Sequence, residues 1–336
     1  MVRGRDSEAH GPTWQVQAAL IARRFYLEGR SKVEIADELG LSRFKVARIL
    51  DDARELGLVE VRVNLPAPID PDLSSALQER LGLRHAVVVQ QPPQDSSRST
   101  REELGRMAAE LISELVTVDD VLGLTCSRTV AATTQALQTL AACPVVQLCG
   151  TLAGPDMEAG SVESVRRASD VGGGQAFPIY APMVLPDAAT VRALAGESAI
   201  KQTVRLFPDV TVAVVAVGAW RSELSTVWET VGALGRSQAG KAGAVGEIGA
   251  RLFDAHGKAV RTSIDDRVLG VTLDQLHAIP EVIGLAYDER RAPAVSAAVQ
   301  GGLVNSLVCD TALGERLLET APERRPGRPG DRGATA

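Results

Sequence analysis

Aromatic residues are scarce in this chain: Phe, Tyr and Trp together make up 3% of 336 residues. Histidine and cysteine are as thin, with four of each. Cys126, Cys143, Cys149 and Cys309 form no CxxC pair and have no histidine at metal-ligand spacing. That argues against a metal centre or a disulfide framework, and buried free thiols are expected instead. No stretch reaches the roughly 18 apolar residues of a membrane span. The opening MVRGRDSEAHGPTW lacks the apolar centre of a secretion signal, so a cytoplasmic protein is expected. Neither a Walker loop nor GxGxxG occurs, and no cofactor or metal is expected.

What the chain does have is length, an uneven charge and a 45% hydrophobic composition. Its size favours two or three domains with a substantial core. Residues 1–65 hold eleven Lys and Arg against ten Asp and Glu, and the remainder holds 25 against 32. An acidic body repels phosphate backbones, so any contact with nucleic acid belongs to the head and depends on the local placement of its cations.

The segment SKVEIADELGLSRFKVARILDDARELG, residues 31–57, fits a helix-turn-helix. Val33, Ile35, Ala36 and Leu39 are expected to face inward on a short helix, and Gly40 can supply the left-handed residue that reverses the chain. Leu41 plugs the turn, and Ser42 caps a second helix that buries Val46, Ile49, Leu50 and Ala53. Arg43, Phe44, Lys45 and Arg48 then occupy its outer face, the positions a recognition helix sends into the major groove, with Lys32 and Ser42 beside them. A preceding helix, residues 17–28, completes a three-helix head. The alternating LVEVRVNLP of residues 58–66 reads as a short wing-like strand. Since such a head neutralises few phosphates alone, a homodimer or homotetramer is expected on operator DNA.

Pro66, Pro68 and Pro71 mark a stiff linker over residues 66–72. A body over residues 73–321 follows, and the Pro-, Gly- and charge-rich residues 322–336 read as a disordered tail. In the body, helices (73–81, 101–116, 129–140) alternate with apolar strands (85–90, 121–125, 145–148, 176–181, 210–217, 282–286). This pattern predicts an open parallel sheet covered on both faces, with ligands at the carboxyl ends of the strands. Three such ends stand out. The strand over 121–125 runs into Ser127, Arg128 and Thr129 at a helix start, where hydroxyls, a guanidinium and backbone amides can cradle phosphate. The strand over 145–148 ends at Gly150 and Thr151, where glycine allows close approach. The third ends at Gly218-Ala219-Trp220.

The chain resembles, nearly end to end, the SorC-type sugar-binding transcriptional regulators. The resemblance is carried by ARELGLVEVRV, LGRMAAELISELVTVDDVLGLTCSRTV, VVQLCG, Tyr180-Ala181-Pro182, DVTVAVVAVG, KAGAVGEIGARLFDAHG and GGLVNSLVCDTALGERLL. It implies a body whose fold resembles sugar-phosphate isomerases and glucosamine-6-phosphate deaminase, assembly as a tetramer, and control of operator binding by a phosphorylated sugar. The family's phosphate loop, Trp-Gly-x-Thr, falls on Cys126-Ser127-Arg128-Thr129, where only the threonine is kept. Arg291 stands at a family lysine, and Tyr287 and Asp288 stand where the family has glycines. Glu247 matches an acidic position that accepts sugar hydroxyls, and Gly150 matches a ligand-contacting turn.

The expected architecture is therefore an α+β two-domain chain: a winged-helix-like helix-turn-helix head and an α/β open-sheet effector body. The expected function is regulation of carbohydrate genes through a sugar, polyol or sugar-phosphate effector held by Ser127, Arg128, Thr129, Gly150, Thr151, Glu247 and Arg291. The alternative is an isomerase- or deaminase-like enzyme with Glu247 as general base. No second catalytic motif accompanies that carboxylate, so catalysis is not expected.

Overall fold

A computed structural model describes residues 11–60, 68–90, 97–152 and 160–321. The chain divides into two compact units, Met1–Pro66 and Ala67–Ala336.

In the first unit, α1 (Pro12–Tyr26), α2 (Lys32–Leu39) and α3 (Arg43–Glu55) enclose a small core. Ala18, Ile21 and Ala22 meet Ile35, Ala36, Val46, Ile49, Leu50 and Ala53 there. Each helix start has a local chemical cause. The Ser31 hydroxyl accepts from the Glu34 amide while the Glu34 carboxylate accepts from the Ser31 amide at 2.8 Å, closing a capping box on α2. Gly40 sits at φ 65°, the left-handed conformation that lets α2 end and α3 begin three residues later. Ser42 then caps α3 by accepting from the Lys45 amide at 3.2 Å. Arg24 bonds Glu28 and Glu38, both at 2.7 Å, and Arg30 bonds Glu38 at 2.8 Å, tying the end of α1 to α2.

Val33 departs from expectation. It is 53% exposed, because it lies about 200° around the helix from Ile35, opposite the stripe formed by Ile35, Ala36 and Leu39. The expected wing continues beyond Glu60 outside the described residues, as does the expected tail over 322–336; Val59 packs on the head core.

The second unit begins with α4 (Pro71–Leu81), β1 (His85–Val89), α5 (Ser97–Leu115), β2 (Leu122–Leu124), α6 (Arg128–Ala136), β3 (Val145–Gln147), α7 (Ser161–Gly172) and β4 (Ala176–Phe177). It continues through α8 (Ala188–Gly196), α9 (Ser198–Arg205), β5 (Val212–Ala216), β6 (Gly218–Ala219), α10 (Thr226–Thr230), α11 (Ala233–Lys241), β7 (Gly246–Ile248) and β8 (Arg251–Phe253). It closes with α12 (Leu273–His277), β9 (Glu281–Ala286), α13 (Ala292–Gln300), β10 (Ser306–Asp310) and α14 (Thr311–Thr320). Seven strands form one sheet in the order β1-β10-β9-β5-β2-β3-β4, every pair parallel.

Along β5, Val212 and Val214 enter the core on one face while Ala213 and Val215 enter the core on the other, so both faces are covered. From the sheet's middle, β2, β3 and β4 step one way and β5, β9 and β10 step the other. The strand order therefore reverses between β2 and β5, and a crevice opens at their carboxyl ends.

Three expectations need correction. Part of the expected linker belongs to the body: the Gln90 amide donates to the Pro68 carbonyl at 2.7 Å, the Asp70 amide donates to Val88, and α4 starts at Pro71 under an Asp70 cap. The strand expected over 176–181 shortens to β4, and the helix expected over 129–140 ends at Ala136. A separate antiparallel sheet, β6-β7-β8, is unforeseen, since strands of two or three residues are too short for period-two alternation to register.

Candidate functional site

The crevice at the switch point is a partly enclosed cavity. Three chain segments build it at the ends of neighbouring strands. Thr125 to Thr129 follow β2, Ala216 to Gly218 run from the end of β5 into β6, and Leu285 and Ala286 end β9, with Tyr287 and Arg291 beyond; Glu247 comes from β7, and Gly249 and Ala250 from the β7–β8 turn. Of the effector residues expected from the sequence, Ser127, Arg128, Thr129, Glu247 and Arg291 all line this one space.

At the β2 end, Ser127 caps α6 by accepting from the Val130 amide at 3.0 Å, so Arg128 and Thr129 occupy the helix's first turn. The positive end of α6 and the Arg128 guanidinium thus lie together. Across the cavity, Arg291 is only 8% exposed. Its Nη1 donates to the Tyr287 carbonyl at 2.6 Å, and its guanidinium lies 4.7 Å from the centre of the Tyr287 ring. Burial pushes this guanidinium down from its ordinary value; Tyr287 and Asp288 oppose that, and the like charges of Arg290 and Arg128 add to it. An anion between Arg128 and Arg291 offsets both the burial and the repulsion.

Glu247 supplies the opposite character. It is 6% exposed, and its carboxylate accepts from the Ser225 hydroxyl and the Ala250 amide, each at 3.1 Å. Burial raises its pKa, against the pull of those two donors and of Arg291. The cavity therefore brings two guanidiniums and a helix N-terminus into one space with a buried carboxylate, a set of groups suited to a ligand with one anionic group and hydroxyls. Backbone strain gathers around it. Glu223 and Ala250, both on the wall, and Asp288, next to Tyr287, hold φ values of 67°, 67° and 79°, the non-glycine residues in the left-handed region among those described.

Gly150 and Thr151 are not brought to this cavity. Their amides donate to the Leu269 and Ala181 carbonyls, and a Cβ on Gly150 would lie 2.6 Å from the Ala181 and Pro182 backbone. The glycine serves a close backbone crossing. Several wall residues carry no local signal in the sequence: Arg101 reaches in from α5 to within 3.4 Å of the Tyr287 hydroxyl, and Thr125, Met183, Glu223 and Thr226 join it.

Cys126 lines the wall, and its amide donates to the buried Cys149 sulfur at 3.1 Å. Burial raises both thiols, so they act as neutral apolar groups. All four cysteines are free and buried.

On the head, Ser42, Arg43, Phe44, Lys45 and Arg48 are exposed on α3, with the Arg43 guanidinium 4.7 Å from the Phe44 ring centre. Lys32 stands at the start of α2, its ammonium 5.7 Å from the Phe25 ring centre. Among the described residues no helix is long and apolar enough to cross a membrane.

A three-helix head and an open-sheet body with a polar cavity at its switch point fit a ligand-responsive regulator. Known proteins agree. The family model described as "Putative sugar-binding domain" matches residues 69–319. The deoxyribonucleoside regulator of Bacillus subtilis is 30% identical over 306 residues, covering 88% of this chain and 95% of the relative. The transcriptional regulator LsrR of Escherichia coli is 27% identical over 308 residues, covering 90% and 95%. Among solved structures, the full-length sorbitol operon regulator SorC from Klebsiella pneumoniae superposes with a TM-score of 0.67 at 22% identity, covering 90% of this chain and 99% of that one. A DeoR family regulator from Listeria monocytogenes gives 0.65 at 23% identity, covering 73% and 98%. The chain belongs to the family of transcriptional regulators that carry this sugar-binding domain.

Proposed function

We propose that this protein binds operator DNA of carbohydrate genes through α3 and releases or remodels on it when a phosphorylated sugar or polyol fills the body cavity. The observation that carries the reading is that Ser127, Arg128, Thr129 and Arg291 line one cavity together with the buried Glu247 carboxylate. Phosphate takes the cationic end and the α6 N-terminus, and sugar hydroxyls donate to Glu247. The head over residues 1–65 and the body, which takes in Pro68 to Asp72 as well as 73–321, divide the work, in the cytoplasm where the operator lies.

The body acts as a receptor rather than an enzyme. Both Glu247 oxygens already accept protein donors, and no second acid or base converges with them at hydrogen-bond distance among the described residues. A weakly basic head requires a dimer or tetramer to hold an operator tightly.

Calorimetry on the full chain against matched sugars, polyols and their phosphates tests this. Phosphates are expected to bind without turnover and to lower operator affinity, and light scattering is expected to report an oligomer. Binding of the unphosphorylated sugar alone, or conversion of the phosphate, overturns the corresponding part. Arg43→Ala and Arg48→Ala should each weaken specific DNA binding by about 1 to 3 kcal/mol; unchanged affinity in both removes α3 from base readout.

A further inference from the structure

Phe44 is an apolar ring held out to solvent among cations, 72% exposed. Its place on α3 gives it a direction. Val46, Ile49, Leu50 and Ala53 define the buried side. At about 100° per residue, Phe44 and Arg48 stand opposite that side, one turn apart, and Asp51 and Glu55 continue the same face toward the C-terminal end. The outward face of α3 is therefore cationic and aromatic in its first half and acidic in its second. A polyanion approaching this face is drawn to the first half alone.

The surroundings of the ring select its partner. Arg43, Lys45 and Arg48 flank it, and all three are exposed. Three cations around one ring disfavour an apolar protein surface, which would have to desolvate them, and favour the major groove. There the apolar group that the base pairs present is the C5 methyl of thymine. The Arg43 guanidinium, stacked over Phe44, restricts the ring's rotamers before binding, so less entropy is lost on contact. The Ser42 cap fixes the first turn from which both side chains project.

We propose that Phe44 is a specificity-determining residue that reads a thymine methyl group in the operator's major groove, with the Arg43 guanidinium packed on its ring to hold it there. The inference rests on the reading of the protein as a DNA-binding regulator. One thymine per half-site then owes its preference to a carbon contact rather than to a hydrogen bond, and removal of its methyl alone exposes the effect.

The experiment selects duplexes of about 30 base pairs, long enough for two half-sites a helical turn apart, from a random library with the full-length protein. Each thymine of the winning duplex is then replaced singly by deoxyuridine, which keeps every hydrogen-bonding group and loses only the methyl. The wild type is expected to lose about fourfold in affinity at one thymine per half-site, the worth of one methyl taken out of water. Phe44→Ala should bind the thymine and deoxyuridine duplexes alike, and Phe44→Leu, which still offers apolar surface, should restore part of the preference. A wild type indifferent to every single replacement overturns the inference, as does a Phe44→Ala protein that keeps the full preference. Selection of no duplex overturns the regulator reading itself, and this inference with it; loss of the methyl effect with selection intact overturns this inference alone.

Discussion

Arg291→Met separates the phosphate from the sugar. The guanidinium donates at 2.6 Å to the Tyr287 carbonyl, lies over the Tyr287 ring and belongs to a residue that lines the cavity with Arg128. Met keeps much of the stem's apolar volume and removes the charge. A charge-assisted hydrogen bond to a phosphate oxygen is worth about 1.5 to 3 kcal/mol, roughly a ten- to hundredfold loss of affinity for the tightest sugar phosphate in a calorimetric panel. Its unphosphorylated parent, held by Glu247, should change by less than about threefold.

Folding stability should move little. The variant loses one hydrogen bond and a stacking contact, about 1 to 2 kcal/mol together, but also sheds the cost of burying a cation beside Arg128. Urea midpoints read that balance. Equal losses for phosphate and parent sugar, or no loss for either, refute the assignment of Arg291 to the anionic end.

Arg251 makes five hydrogen bonds, to the carbonyls of Asp265, Val268, Gly270 and Val271 and to the Asp265 carboxylate, so Arg251→Met should cost about 3 to 5 kcal/mol in urea unfolding; a cost under about 1 kcal/mol refutes its role in anchoring that loop. Gly150→Ala places a Cβ 2.6 Å from rigid backbone, so unfolding should become easier by about 1 to 3 kcal/mol. Loss of ligand affinity at undiminished stability would instead return Gly150 to the binding site. Burial raises the Glu247 pKa above its ordinary 4.5. The stability it contributes is therefore complete below 4.5 and lost as pH rises through the raised value. Relative to Glu247→Gln, the wild type should lose stability as pH climbs from about 4.5 through the raised value, and a difference independent of pH contradicts the upward shift.

Local chemistry made the head legible in the sequence. The Ser42 cap, the left-handed Gly40 and the buried stripe of α3 are each decided within a few residues, so spacing alone is enough to expect them; the Ser31 cap is as local but is not among those expectations. Val33 faces solvent against expectation, because apolarity does not by itself set direction around a helix. In the body, the alternation of apolar strands and amphipathic helices determined a parallel open sheet, since only helices on both faces let such strands be buried on both sides.

Strand order was beyond reach, because pairing joins residues far apart in the chain, as in the contact of β1 with β10. That order places the ends of β2, β5 and β9 around one space, and so decides which expected residues meet. Ser127, Arg128, Thr129, Glu247 and Arg291 do; Gly150, which looked alike as a strand-end glycine, is turned to a backbone crossing. Arg101 carries nothing local to mark it as a wall residue, since its place depends on α5 bringing it to the Tyr287 hydroxyl. Sequence determined the kinds of groups this protein offers to DNA and to its ligand, because those are properties of single residues and short helical turns. Tertiary structure decided which of them share a cavity, because that depends on the reversal of strand order between β2 and β5.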